Sequence, residues 1–121
     1  MNELVSINKR RPEVFSMALW EPLIKTLPGA TYIPNPIEAN RPGFSIKLKT
    51  GYKISIQYGP RTYSRYSQLS LSIEQQEAYD VETAILFNGE FVEYKGDEVQ
   101  GHQTVDEVIE TIMIWNNVIV N

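Results

Sequence analysis

Hydrophobic and polar positions alternate most regularly in the middle of the chain. Phe44, Ile46 and Leu48 interleave with Ser45, Lys47 and Lys49. After a Thr50-Gly51 turn, Tyr52, Ile54, Ile56 and Tyr58 interleave with Lys53, Ser55 and Gln57. A period of two sends successive side chains to opposite faces of a strand. The pattern therefore predicts an antiparallel hairpin with one apolar face and one polar face, the latter carrying Lys47, Lys49 and Lys53. A second hairpin is predicted where Thr83, Ile85 and Phe87 lead through Asn88-Gly89 into Phe91 and a run to Tyr94. Asn-Gly favours such a turn because both residues accept positive φ. A shorter strand is read at Thr31–Ile33, and a further one where Leu69, Leu71 and Ile73 alternate with serines. Residues 74–79 suggest one helical turn, and Gly96–Gln103 reads as loop.

Helical spacing flanks this β-rich middle. Val14, Phe15, Ala18 and Leu19 recur at that spacing with Trp20 beside them, and Pro12 suits the first turn of such a helix. Pro22 is expected to break or kink it, with Leu23, Ile24 and Leu27 continuing in a second short piece until Pro28-Gly29. Pro34, Pro36, Pro42 and Gly43 mark an irregular connection. Near the C-terminus, Thr104 and Glu107 form a capping box. Val105, Val108, Ile109, Ile112 and Met113 follow as one apolar stripe, with Trp115 expected to anchor its end on the sheet. The prediction is a single α+β domain over residues 1–121. It has an antiparallel sheet of about five strands, with an N-terminal and a C-terminal helix packed on one face. Residues 1–11 are a flexible arm or a short strand through Leu4, Val5 and Ile7. The Val118-Ile119-Val120 tail is expected to pack on something, such as a partner subunit.

Composition narrows the function classes. The 121 residues contain no cysteine, so disulfides, thiolate nucleophiles and Cys-ligated zinc are excluded. No secretory leader and no apolar run of bilayer-spanning length is visible, and the expected location is the cytoplasm of a bacterial host. The net charge of −4 hides an asymmetry. Residues 1–65 hold ten Lys/Arg and four Asp/Glu, whereas residues 66–121 hold one Lys and eleven Asp/Glu. Both sets read first as solvated surface; alternatively the basic half would attract an anionic ligand, the acidic half would face a basic protein surface, or the dipole would serve self-association. The absence of a net basic stripe argues against duplex nucleic acid.

The segment with most chemical potential is the loop Gln57 to Ser67. It gathers Tyr58, Gly59, Arg61, Thr62, Tyr63, Arg65 and Tyr66 around a Gly59-Pro60 bend. Guanidinium groups bind phosphates by forked hydrogen bonds, and tyrosine rings offer faces on which a base stacks. The same residue types suit a protein interface, or a loop folded back on its own core. His102 is the only histidine and is read as a surface residue. Asp106 with Glu110 and Glu74 with Glu77 are read as solvated charge. No P-loop, dinucleotide fingerprint or metal-ligand spacing is present, so neither a cofactor nor a metal is expected.

Ile54-Ser55-Ile56-Gln57-Tyr58-Gly59-Pro60, followed by Tyr63-Ser64, resembles a strand-to-loop pattern of small phage and prophage proteins. The Asn-Gly hairpin and the Gly101-to-Val108 helix start agree with it in layout, so the similarity spans about residues 44–116. Arg61 stands where that pattern has its second glycine, and Ser67 where it has an arginine. The layout is also similar to the Thoeris anti-defence sponges. That resemblance implies a homo-oligomer with a pocket between sheet and terminal helix, sequestering a cyclic ADP-ribose-type signal without cleaving it. Arg61 and Arg65 would take the phosphates, and Tyr58, Tyr63 or Tyr66 the base. The expectation is thus a non-enzymatic phage counter-defence protein that binds a small nucleotide. The alternative is an inhibitor that covers a host protein with its acidic C-terminal half.

Overall fold

The computed structural model describes residues 11–59, 62–65 and 72–118. The expectations for the N-terminal arm, Arg61, Tyr66, Ser67, the strand through Leu69 and Leu71, and residues 119–120 of the tail fall outside the described residues. The elements run α1 (Met17–Ile24), β1 (Thr31–Pro34), β2 (Gly43–Lys47), β3 (Tyr52–Gln57), β4 (Val81–Phe87), β5 (Glu90–Val92), β6 (Val99–Gln103) and α2 (Val105–Asn116). Short 3₁₀ turns lie at Ile37–Ala39 and Ile73–Gln75. No helix among the described residues is long and apolar enough to cross a membrane.

All pairings in the sheet are antiparallel, in the order β1-β2-β3-β4. Beyond β4 the next strand position is shared. β5 pairs with the Ile85–Phe87 end of β4, and β6 pairs with its Val81–Ala84 end. The sheet therefore has six strands, and β6 arises where the polar sequence Val99-Gln100-Gly101-His102-Gln103 suggested loop. It pairs through a register shift between Val81 and Thr83, and His102 adopts φ +50°. An irregular strand with a glycine and little apolar alternation lacks the period that identifies strands.

Phe44 and Ile46 of β2, Ile54 and Ile56 of β3, and Val81 and Ile85 of β4 are solvent-free on one face. There they join Trp20 and Ile24 from α1 and Val108, Ile109 and Ile112 from α2 in a single core. Both helices thus cover one face, as the patterning predicts. Trp115 is only partly buried, but its ring lies 4.7 Å from Tyr52 and 5.5 Å from Tyr94, so it does anchor α2 on the sheet. The capping box is formed: the Thr104 hydroxyl accepts from the Glu107 amide, and the Glu107 carboxylate accepts from the Thr104 amide.

The N-terminal helix departs from its predicted bounds. It starts at Met17, where the Ser16 hydroxyl caps it by accepting from the Leu19 amide. Residues 12–15 stay outside the helix, with a bend at Glu13 and Val14, because Phe15 exchanges two backbone hydrogen bonds with Ala78, at 2.8 and 2.9 Å. Pro12 is therefore not a helical residue. Pro22 lies inside α1 and does not end it. The residue four positions back, Ala18, faces outward, where water can bond the carbonyl that proline cannot.

Candidate functional site

The described residues of the Arg/Tyr loop predicted as a binding site pack on or bond to their own chain. Tyr58 is fully buried between sheet and α1, so its ring is core rather than a stacking surface. Burial pushes its phenol well above the usual range; the hydroxyl faces the Met17 backbone without reaching hydrogen-bond geometry. Gly59 takes φ +97° and lies against Pro42, where a Cβ would come 3.3 Å from the ring. Thr62 bonds inward: its hydroxyl donates to the Gly59 carbonyl at 2.6 Å and lies 2.6 Å from the Ser64 hydroxyl. Tyr63 is two-thirds exposed and rests over Gly101, whose missing Cβ makes the room.

Arg65 is committed to a carboxylate of its own chain. Asp80, 2% exposed, accepts the Arg65 amide through Oδ1 and the Arg65 Nε through Oδ2, both at 2.6 Å. His102 Nδ1 lies 3.2 Å from the same Oδ1. Burial raises the Asp80 pKa, but the bonds from the Arg65 side chain and amide and from His102, with the guanidinium charge, outweigh it. The carboxyl is held below the ordinary carboxylate range. Two further bonds fasten the segment, Tyr79 N–H to Arg65 O at 2.7 Å and His102 N–H to Tyr63 O at 2.8 Å. The histidine read as a plain surface residue is thus 60% exposed at its side chain, yet belongs to the latch that holds residues 63–65 against β4 and β6.

A different region offers a concave site. A cleft of about 550 Å3 lies between α1, the β1 end, the β1–β2 connection at Asn35, Pro36 and Arg41, and the 3₁₀ turn at Ile73–Gln75. It is lined by Met17, Tyr32, Pro34, Pro36 and Ile73 on the apolar side and by Glu21, Asn35, Arg41 and Glu74 on the polar side. The volume is within the roughly 300–1,000 Å3 of small-molecule sites. Two of the residues that line it, Tyr32 and Arg41, each hold a buried polar atom without a hydrogen-bond partner, Oη and Nε. Orphaned groups of this kind cost about 1–3 kcal/mol each. Burial, then Glu21 and Glu74, push the Tyr32 phenol up to about 12, so it is a neutral donor at physiological pH.

The loop that carries Arg41 is held in place. The Asn35 side chain donates toward the Pro42 and Arg41 carbonyls at 3.3 and 3.5 Å. The Asn35 and Gln57 amides bond each other reciprocally at 2.6 and 3.1 Å. Gly43, at φ +145°, makes this possible: a Cβ there would sit 2.5 Å from Gln57 Oε1 and 2.6 Å from Asn35 Nδ2. Arg41 makes no ion pair among the described residues. A second group of unpartnered buried atoms, on Tyr94, Gln100, Trp115 and Asn116, lies near the end of α2. Tyr32 and Arg41 differ from it in being residues that line an open volume.

No protein-family model matches the chain, and no curated protein or solved structure matches it. The phage and sponge resemblance rests on the quoted residues alone. Among the described residues no group of three or more His, Asp or Glu side chains is placed to hold a metal ion.

The cleft went unseen in the sequence because its polar residues are scattered from Glu21 to Glu74 in no motif. The one available signal was Arg41, a lone cation in a Pro-rich connection between two strands.

Proposed function

We propose that this chain is a non-enzymatic binding protein whose ligand is a small nucleotide, held in the cleft of Tyr32 and Arg41. The observation that carries the reading is a cleft of ligand size whose lining includes Arg41, a cation with no ion pair among the described residues, beside Tyr32 and Asn35. Arg41 supplies the positive charge for a phosphate. Asn35 and the neutral Tyr32 hydroxyl supply directional hydrogen bonds. Glu21 and Glu74 accept from ribose hydroxyls or an exocyclic amine, and Met17 and Ile73 pack against a base. One guanidinium against two carboxylates favours a ligand with a single anionic phosphate over a pyrophosphate. The ligand class thus moves from the ADP-ribose type toward a mononucleotide or a cyclic mononucleotide. Sequestration is favoured over turnover because the cleft lining holds no nucleophile paired with a base.

Titration calorimetry against adenosine monophosphate, cyclic adenosine monophosphate and ADP-ribose tests the reading. Mononucleotide binding that falls at least about tenfold in Arg41→Ala supports it, since a charge-assisted bond is worth about 1.5–3 kcal/mol. Saturable binding that Arg41→Ala leaves intact contradicts it.

A second reading has its own observation. Glu90, Glu93, Asp97 and Glu98 are all exposed on β5 and its connection to β6, accompanied there by a single cation, Lys95. Such a surface suits a basic protein partner. A stoichiometric, salt-sensitive host protein captured by the wild type and lost when these acids are neutralised would favour this inhibitor reading over the cleft.

A further inference from the structure

The sheet face opposite the helices carries an exposed aromatic ring on each side of its central row. The register places Ile33, Ser45, Ser55, Ala84 and Val99 in one row across the sheet. Two residues away along the strands, about 6.6 Å, a second row holds Lys47 on β2, Lys53 on β3, Leu86 on β4 and Phe91 on β5. Equally far on the other side, a third row holds Gln57 on β3 and Glu82 on β4. At the next position outward in that third row, Tyr63 lies over Gly101 of β6. Phe91 is 53% exposed and Tyr63 67% exposed, large values for aromatic rings on a folded domain.

We infer that this face packs on the same face of a second copy of the chain. A two-fold axis lying in the interface along the central row exchanges the two outer rows. It sets Phe91 of one copy opposite Tyr63 of the other, and Lys53 one strand from Glu82 of the other. Both pairings form twice, as a closed isologous dimer requires. Ile33 meets its own symmetry mate. The alternative axis, parallel to the strands, leaves Lys53 and Lys47 in like-charged rows and is disfavoured. Stacked sheets sit about 10 Å apart, within reach of a lysine and a glutamate from opposite faces. The inference is independent of the cleft, whose lining comes from α1, the β1 end, the β1–β2 connection and the 3₁₀ turn at Ile73–Gln75.

Sedimentation velocity across a concentration series of the full chain tests it. A species of twice the 13.9 kDa chain mass is expected. Phe91→Glu should yield monomer, and because Phe91 is half exposed the variant should keep the wild-type circular dichroism spectrum. Lys53→Glu should weaken the dimer on the order of tenfold, and adding Glu82→Lys to it should restore the affinity. A wild type that stays monomeric, a dimer indifferent to Phe91→Glu, or a charge swap that restores nothing would each overturn the proposal.

Discussion

Replacing Asp80 probes the latch that fastens residues 63–65 to the sheet. Its carboxylate is buried and takes the Arg65 amide, the Arg65 Nε and His102 Nδ1. In Asp80→Ala the amide bond to a charged acceptor is lost, at roughly 1.5–2 kcal/mol. The Arg65 side chain is 68% exposed, so solvent screening reduces that contact to about 0.5 kcal/mol, and the exposed His102 contributes a similar ~0.5 kcal/mol. The expected total is about 2.5–3 kcal/mol. At roughly 3–6 °C per kcal/mol for a chain of this size, the melting temperature should fall by about 10 °C. Asp80→Asn keeps one acceptor for the Arg65 amide and should lose about half as much.

The pH dependence of that loss has a definite sign. Folding lowers the Asp80 pKa, so the folded chain binds this proton less readily than the unfolded chain. The stabilisation is therefore complete above the ordinary carboxylate range, about pH 4. It disappears as pH falls through that range toward the folded value. Thermal melts of wild type and Asp80→Ala from neutral to acid pH should show a gap that is constant at the top and closes at the bottom. Equal melting temperatures at pH 7, or a gap that widens in acid, would refute this account of the latch.

Two further substitutions test how the site and the terminal helix are built. Gly43→Ala forces a Cβ against the Asn35–Gln57 amide pair at positive φ; urea unfolding should show a loss of at least about 2 kcal/mol, and nucleotide affinity should fall with it because Arg41 loses its support. Thr104→Ala removes the hydroxyl half of the capping box; a loss of about 1 kcal/mol in the same assay is expected, with no change in binding.

What the sequence disclosed was local. Tyr52–Gln57, Asn88-Gly89 and Thr104–Glu107 each signal within a few residues, through alternation, turn chemistry or capping. The structure places a strand, a turn and a helix start there. What stayed hidden depended on contacts between distant segments. Phe15 reads as helical by spacing, but its bridge to Ala78 outweighs propensity, so the helix waits for Ser16. Val99–Gln103 becomes a strand because the edge of β4 needs a partner. Arg65 looked free for a ligand because nothing nearby in sequence names Asp80, fifteen residues on, as its carboxylate. Arg41 drew no notice beside the richer loop, although Asn35, Gln57 and Gly43 combine to position its backbone.

Amide chemical-shift mapping during a titration with adenosine monophosphate tests the central claim most directly, because it reports where a ligand sits. The cleft predicts that the largest saturable shifts fall on Tyr32, Asn35, Arg41 and Glu74, while Thr62, Tyr63 and Arg65 stay put. Shifts concentrated on Thr62–Arg65, with the Arg41 region silent, would contradict it.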